Sequence, residues 1–441
     1  MENAARVLDG IVGHVRAAVQ GELDWLSERP AEANWAMIEE GLEQLVAKFR
    51  SALLHAVASA LGTGNCGSEI QCACGGWMKL VGNRTKTFLT TLGDLRLRRA
   101  YYWCTACGAT RVPLDEQLDL VGQTQSVGVQ LTTALVCALL PNGQGMNLLE
   151  HLKVPHVSVK ESQRVTREVG QRALAERDEE ARRWREDHVP PSEDVRRQVP
   201  ERLAVLMDGT KAHTDGDWHE VKVGTFYPFD EEGEALGEKG CVATFESIEP
   251  FRALWDTEAQ RWHLAEVPHV VALCDGAPWT WNTVAECCPE HTVELLDFYH
   301  ASKHLWTLAR AVWGEGAVRA GEWVEEQERR LLEGDLDAFF EALKRWAGKE
   351  AYAQAAGDEL RYFESNRSRL RYAEALERGD PIGSGMVEAA CKTIVCVREK
   401  QPGMRWRKDT AECIAHLRCI YFSNRWETFR RRMMTTRRQA A

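Results

Sequence analysis

Two apolar runs, Leu203-Ala-Val-Leu-Met-Asp208-Gly209 and Val270-Val-Ala-Leu-Cys-Asp275-Gly276, end on the same dipeptide, Asp-Gly. Short aliphatic runs bounded by glycine or proline read as buried strands. The residue leaving the C-terminal end of such a strand emerges at the rim of the sheet, facing the crevice in which open α/β sheets bind ligands. A third acid, Glu388, follows in Gly383-Ser-Gly-Met-Val-Glu388-Ala-Ala, within a stretch, Met386–Arg398, of helical spacing. The predicted order of the acids is strand, strand, helix. Asp-Gly after a strand is also an ordinary turn signal, which accounts for any one of these acids taken singly. Together they form a set of hard oxygen ligands suited to a pair of Mg²⁺ or Mn²⁺ ions, which favours phosphoryl chemistry over redox chemistry.

Outward from these runs, strands are predicted around Leu203–Met207, His219–Tyr227, Val242–Ile248, Val270–Leu273 and Val293–Leu296. Between His300 and Asp380 the sequence turns to helix formers with spaced apolar residues, among them Trp306, Trp313, Trp323 and Trp346. An all-helical insertion over 305–380 therefore splits the α/β core into 202–304 and 381–425, and its tryptophans read as core anchors. Asp297, His300 and His304 lie one helical turn apart. His300 is a candidate active-site residue that contacts a phosphate or orients Asp297. The three equally read as a hydrogen-bonded support for the acids, or as satisfied structural residues.

Pro381-Ile-Gly-Ser-Gly-Met-Val-Glu388-Ala-Ala-Cys-Lys392, followed by Gly403-Met-Arg-Trp406, resembles the segment carrying the third catalytic acid in the ISKra-type insertion-sequence transposases. That family belongs with the Mutator-like enzymes to the DDE transposases. Met207-Asp208-Gly-Thr and Cys274-Asp275-Gly-Ala match its first and second acids, and Leu295-Leu-Asp297-Phe-Tyr-His300 resembles the Asp-x-x-His signature that follows the second. The resemblance covers most of the chain. It implies an RNase H-like catalytic core in which Asp208, Asp275 and Glu388 hold two Mg²⁺ or Mn²⁺ ions and His300 belongs to the site. It further implies cleavage by water and strand transfer by the released DNA 3′-hydroxyl, on transposon-end and target DNA, by a homodimer or higher oligomer. A transposase-derived DNA-binding regulator without catalysis, and a nuclease that cuts without joining, are the alternatives.

Of the 14 cysteines, most are scattered and several sit in apolar runs, which reads as reduced thiols. The exception is Cys72-Ala-Cys74-Gly-Gly with Cys104-Thr-Ala-Cys107-Gly, two knuckle-like pairs about thirty residues apart. Four thiolates in tetrahedral array make a closed structural Zn²⁺ site, here within a zinc-ribbon-like β module over 66–115. The first knuckle is the less common Cys-x-Cys, and Cys66 is an alternative to Cys72. Reduced cysteines in a hairpin are the plainer reading.

The formal net charge is −11, so basicity is local. Between the knuckles, Lys79, Arg84, Lys86, Arg96, Arg98 and Arg99 face a single acid, Asp94, and Tyr101-Tyr102-Trp103 follows. Such a stretch suits phosphate contacts with aromatic packing, or simply a solvated face. Residues 116–188 read as helices of a helix-turn-helix-like module. There Ser158 caps a helix offering Lys160, Arg164 and Arg167 to DNA, helix packing being the alternative. Ala175–Glu186 reads as a solvent-facing charged helix broken at Val189-Pro-Pro-Ser-Glu, where the main domain boundary is placed. Residues 1–65 form an N-terminal helical region and 426–441 a basic tail with Arg430-Arg-Arg432 and Arg437-Arg438. Arg405 and Trp406 are the sharpest phosphate-clamp candidates near the end of the chain.

With 441 residues and 44% hydrophobic residues the chain exceeds one ordinary domain and can form cores. No run approaches the roughly 18–20 apolar residues of a membrane span. Residues 1–20 lack an apolar core with a cleavage site. Cytoplasmic residence, nucleoid-associated on DNA, is the expectation.

Overall fold

The computed structural model describes residues 34–191 and 198–435, with scattered residues between 12 and 27. The expectations for most of 1–33 and for Arg437-Arg438 fall outside the described residues. The protein is mixed α/β and divides into two compact units: 1–137 with 142–165 and 430–441, and 138–141 with 166–429. The segment 189–201, where the helical pattern breaks, lies within the second unit. No helix among the described residues is long and apolar enough to cross a membrane.

The first unit opens with the helix Trp35–Ala60, capped by Asn34, whose side chain accepts from the Met37 N–H. A four-stranded antiparallel sheet follows, β1 (Glu69–Gln71), β2 (Trp77–Thr90), β3 (Gly93–Cys104) and β4 (Thr110–Arg111), in sequential order. The β2–β3 ladder shifts register between Leu80 and Gly82. A bulge increases local twist, and on β3 the buried set changes here from Leu95, Leu97 and Arg99 to Ala100, Tyr102 and Cys104. Two small cores result. Phe88, Leu95 and Leu97 pack with Ala58 and Leu120, while Met78, Ala100 and Tyr102 pack with Cys72 and Cys104. The helices Val127–Leu139 and Asn142–His151 contribute a third, in which Cys137, Met146 and Leu149 meet Val154 and Val157. The next helix, Val159–Asp187, is continuous. The two helices read separately around residues 157–170 and 175–186 are one, because nothing between them breaks the helical spacing.

The second unit is built on a five-stranded sheet in the order β7-β6-β5-β8-β9. β5 (Arg202–Thr214), β6 (Asp217–Pro228) and β7 (Gly240–Thr244) form an antiparallel meander. β8 (His269–Cys274) and β9 (Val293–Leu296) run parallel to β5. Leu203, Val205 and Met207 face a core with Phe251 and Trp255 of the helix Ile248–Arg261, whereas Ala204 and Leu206 face Val387, Ala390, Ile394 and Ala415. Both faces are covered, which is why the strand runs read as continuous rather than alternating apolar sequence. All five predicted strands are present, but Ile248 begins a helix instead of ending β7.

The predicted insertion is helical: Phe298–Trp313, Val318–Glu333, Leu336–Ala347, Ala353–Ser365 and Tyr372–Glu377. Trp313 packs on Trp323 and Trp346 at centroid distances of 5.8 and 4.9 Å, so these tryptophans anchor its core. Where the chain leaves the insertion, the fully buried Asp380 carboxylate accepts from His269 Nε2 (2.6 Å) and Arg378 Nε (2.9 Å) and pairs with Arg202. This ties the insertion's exit to the starts of β5 and β8, at the end of the sheet away from Asp208.

Candidate active site and metal centre

The parallel ladder between β5 and β8 ends at the pair Met207 and Cys274, so Asp208 and Asp275 stand level, each one residue beyond it. Adjacent strands lie about 4.8 Å apart, which holds the two carboxylates as neighbours. Asp275 leaves its strand as predicted, and Gly276, at φ +96°, makes the turn. Asp208 departs from expectation. It does not end a strand, because β5 continues to Thr214 paired with β6 alone; what stops at Asp208 is the partner on its other edge. Burial raises the Asp208 pKa above the ordinary carboxylate value, the Gly209 N–H lowers it, and the charge of Asp275 raises it further.

Glu388 sits on the helix Gly385–Cys391, with Cys391 one turn further on the same face. The Cys391 thiol lies 3.7 Å from Asp208 Oδ2, so that face looks toward the first acid. A π-helical turn, Lys392–Cys396, follows; such turns are frequent at functional sites. The Glu388 carboxylate is paired with Lys303 Nζ at 3.0 Å, and Lys303 also feels the charges of Asp297 and Asp208. Among the described residues, the three acids do not form a set whose oxygens all lie within 4.8 Å. Like charges repel, and Glu388 has found an ammonium partner.

Asp297 is a fastener. Only 1% exposed, it caps the helix Phe298–Trp313 by accepting from the Tyr299 and His300 N–H groups (3.1 and 3.2 Å). The same carboxylate accepts from the Ser384 N–H (2.9 Å) and Ser384 Oγ (2.6 Å), immediately before the Glu388 helix. Its own N–H donates to the Cys274 carbonyl at 2.9 Å. One residue thus joins the end of β8, the histidine-bearing helix and the Glu388 helix. Asp297→Ala is expected to destabilise the second unit by roughly 3–4 kcal/mol, the sum of a lost cap and of donors left buried. Urea unfolding checks this, and a loss below about 1 kcal/mol would show that water replaces the carboxylate.

His300 is half-buried and near enough to Asp208 to act on it electrostatically. The expectation that its imidazole orients Asp297 is corrected: the bond to Asp297 is made by its backbone N–H, because Asp297 occupies the helix cap. His304 Nδ1 is hydrogen-bonded to Glu359 Oε2 at 2.5 Å, and its ring stacks on Tyr362 at 3.7 Å. The Tyr362 hydroxyl donates to the Asp275 carbonyl at 2.8 Å, and a side chain at Gly276 would strike its ring. The insertion thereby supports the second acid. Lys303, one turn beyond His300, is legible from helical spacing alone, but nothing in the sequence pairs it with Glu388. Tyr362, far off in sequence, carried no signal.

In the first unit, Cys72, Cys74, Cys104 and Cys107 bring their sulfurs within 4.8 Å of one another and can hold a metal ion. They are the only such group of three or more His, Cys, Asp or Glu side chains among the described residues. Gly75 and Gly108, at φ +83° and +74°, turn the chain after each pair. The N–H of Cys107, burial notwithstanding and with help from Ala106, lowers the Cys104 thiol to about 6. The Ala109 N–H pulls Cys107 down, but the surrounding thiols push it up to about 12. Four thiols that cannot all ionise without a cation, and N–H groups aimed at sulfur, fit a thiolate-bound metal. Cys66 lies outside the group, its thiol directed to the Gly64 carbonyl, so it does not replace Cys72.

The residues predicted to contact DNA separate into two classes. Lys79, Arg84, Arg96, Arg98, Lys160 and Arg405 are exposed. Arg99 is instead buried in an ion pair with Asp115, and Lys86 donates to the Gln123 carbonyl at 2.6 Å. Arg99 continues the inward alternation of Leu95 and Leu97 along β3, which is why it is buried. Arg164 is half-buried and pairs with Glu161, whose N–H donates to Ser158 Oγ in the expected cap. Arg167, also half-buried, lies further along the same helix. Trp406 is a structural residue: its indole N–H donates to the Glu399 carbonyl, and the Arg398 guanidinium lies 4.7 Å from its ring centre. No protein-family model matches this chain, and no curated protein matches its sequence.

Proposed function

We propose that this chain is a DDE-type DNA transposase of an insertion sequence, with an RNase H-like core in its second unit and DNA-end recognition in its first. The observation that carries the reading is the level placement of Asp208 and Asp275 on adjacent parallel strands, with the Glu388 helix fastened across them through Asp297 and Ser384. Three antiparallel strands followed by two parallel ones, with a helical insertion before the third acid, support the RNase H-like assignment.

Asp208, Asp275 and Glu388 would hold two Mg²⁺ or Mn²⁺ ions, which when bound activate water or a DNA 3′-hydroxyl and neutralise the leaving oxygen. The donor set fits, since it is all carboxylate oxygen and the half-buried, mutually repelling aspartates favour a cation. The residues themselves position charge: Asp297 fixes the Glu388 helix, and Tyr362 fixes the Asp275 turn. His300 faces the same site and is assigned to contact the phosphate. The Cys72, Cys74, Cys104 and Cys107 cluster is assigned to structural Zn²⁺. Exposed Lys79, Arg84, Arg96 and Arg98 on the ribbon, and Lys160 on the helix, are assigned to the backbone of transposon-end DNA. Pairing two ends calls for at least a homodimer on DNA.

The test incubates purified protein with Mg²⁺ or Mn²⁺, labelled DNA carrying the element's ends, and a target plasmid. Metal-dependent joined products are expected. Specific binding without cutting or joining under either ion would replace this reading with a transposase-derived regulator, and cutting without joining with a nuclease.

A further inference from the structure

Lys303 projects from the helix Phe298–Trp313 one turn beyond His300, and so from the face that borders the acids. Its ammonium lies 3.0 Å from Glu388 Oε1, and the charges of Asp297 and Asp208 act on it as well. The side chain is 62% exposed and Glu388 51%, so the pair stands open to solvent and to a substrate. Exposed ion pairs of this kind contribute little to stability, and a structural role therefore does not explain a lysine here. Lys400, the next lysine near the first acid, instead donates to Thr210 Oγ1 at 2.7 Å.

Resting on the two-ion reading of the acids, we propose that Lys303 is a phosphate-binding residue parked on Glu388 in the DNA-free protein, where it competes with a divalent ion for that carboxylate. In the absence of DNA the ammonium offsets repulsion among Asp208, Asp275 and Glu388. An ion that takes Glu388 releases the ammonium beside the site, and the phosphate oxygens of an approaching DNA strand are its next acceptors. Lysine suits this exchange, being a compact charge with three rotatable donors on a flexible stem. The competition couples ion loading to DNA arrival, because each ligand relieves a cost imposed by the other's absence.

The experiment titrates Mn²⁺ into DNA-free protein and reads free Mn²⁺ by electron paramagnetic resonance, for wild type, Lys303→Met, Lys303→Arg and an Asp208→Ala control. Lys303→Met is expected to bind Mn²⁺ about 2- to 5-fold more tightly, the range set by removing one exposed ion-pair competitor. At saturating Mn²⁺ it should show a raised KM for DNA, and Lys303→Arg should stay near wild type in both readouts. A merely structural lysine predicts unchanged or weaker Mn²⁺ binding in Lys303→Met, and that result overturns the proposal. If wild type and Asp208→Ala bind Mn²⁺ alike, the acids hold no ion and the functional reading fails together with this one.

Discussion

Asp208→Asn is expected to slow metal-dependent strand cleavage by about 10³-fold or more while raising the melting temperature of the protein. The first effect follows from losing a charged ligand where developing charge must be neutralised. The second follows from the native electrostatics: burial and the neighbouring Asp275 charge raise the Asp208 pKa, so its ionised form is a burden on the fold. Asparagine keeps an oxygen for the Gly209 N–H, which Asp208 Oδ1 now accepts at 2.6 Å, and removes the repulsion. A gain of about 1–3 °C is reasonable for a unit of this size. The sign with pH is fixed. Because the folded pKa lies above the unfolded one, the favourable contribution of protonated Asp208 is complete below the unfolded value and is lost as pH rises through the folded one. The advantage of the asparagine variant should therefore be small in acid and grow toward neutral pH. Calorimetry across that range checks it, without added divalent ions. A variant that is both inactive and less stable at neutral pH would mark Asp208 as a structural acid.

The neighbouring placement of Asp208 and Asp275 is partly legible in the sequence. Two Asp-Gly dipeptides after apolar runs were enough to place both acids at one edge of a sheet, because side-chain period and strand length are local properties. Which strand continued past its acid was not visible. That depends on β6 extending the ladder beyond the end of β8, a property of partners remote in sequence. The same limit explains Arg99, by sequence one more cation in a basic stretch, which continues the inward alternation of Leu95 and Leu97 and meets Asp115 from beyond β4. It also explains Tyr362, which reaches Asp275 only once the insertion has folded back. Asp297 is instructive in another way: its motif was recognised, but its four accepted hydrogen bonds make it the fastener of the site.

Cys104→Ser is expected to abolish metal binding by the first unit and to unfold the cysteine-bearing end of its four-stranded sheet, whereas Cys66→Ser leaves both unchanged. That end cannot stand on its apolar contacts. Beside the sulfurs that end packs only Met78, Ala100 and Tyr102, with Ile70 and Leu80 partly buried, whereas the far end of β2 and β3 has its own core of Phe88, Leu95 and Leu97 against Ala58 and Leu120. The Tyr102 hydroxyl donates to the Gly67 carbonyl at 2.8 Å, lies 3.0 Å from Asn65 Oδ1 and accepts from the Cys66 N–H, so the loop before β1 depends on the same core. Structural zinc supplies on the order of 10–16 kcal/mol to comparable peptides, far more than these contacts. Cys104 is the position to test because two backbone N–H groups favour its thiolate. Wild-type protein should carry one equivalent of zinc by elemental analysis. Chelation or Cys104→Ser should expose the chain at Lys79 and Arg111 to trypsin, while the Mn²⁺ titration of the acids in the second unit stays as in wild type. Protection that survives the loss of metal would mean that the hairpin folds on hydrogen bonds alone and that the four thiols are only neighbours.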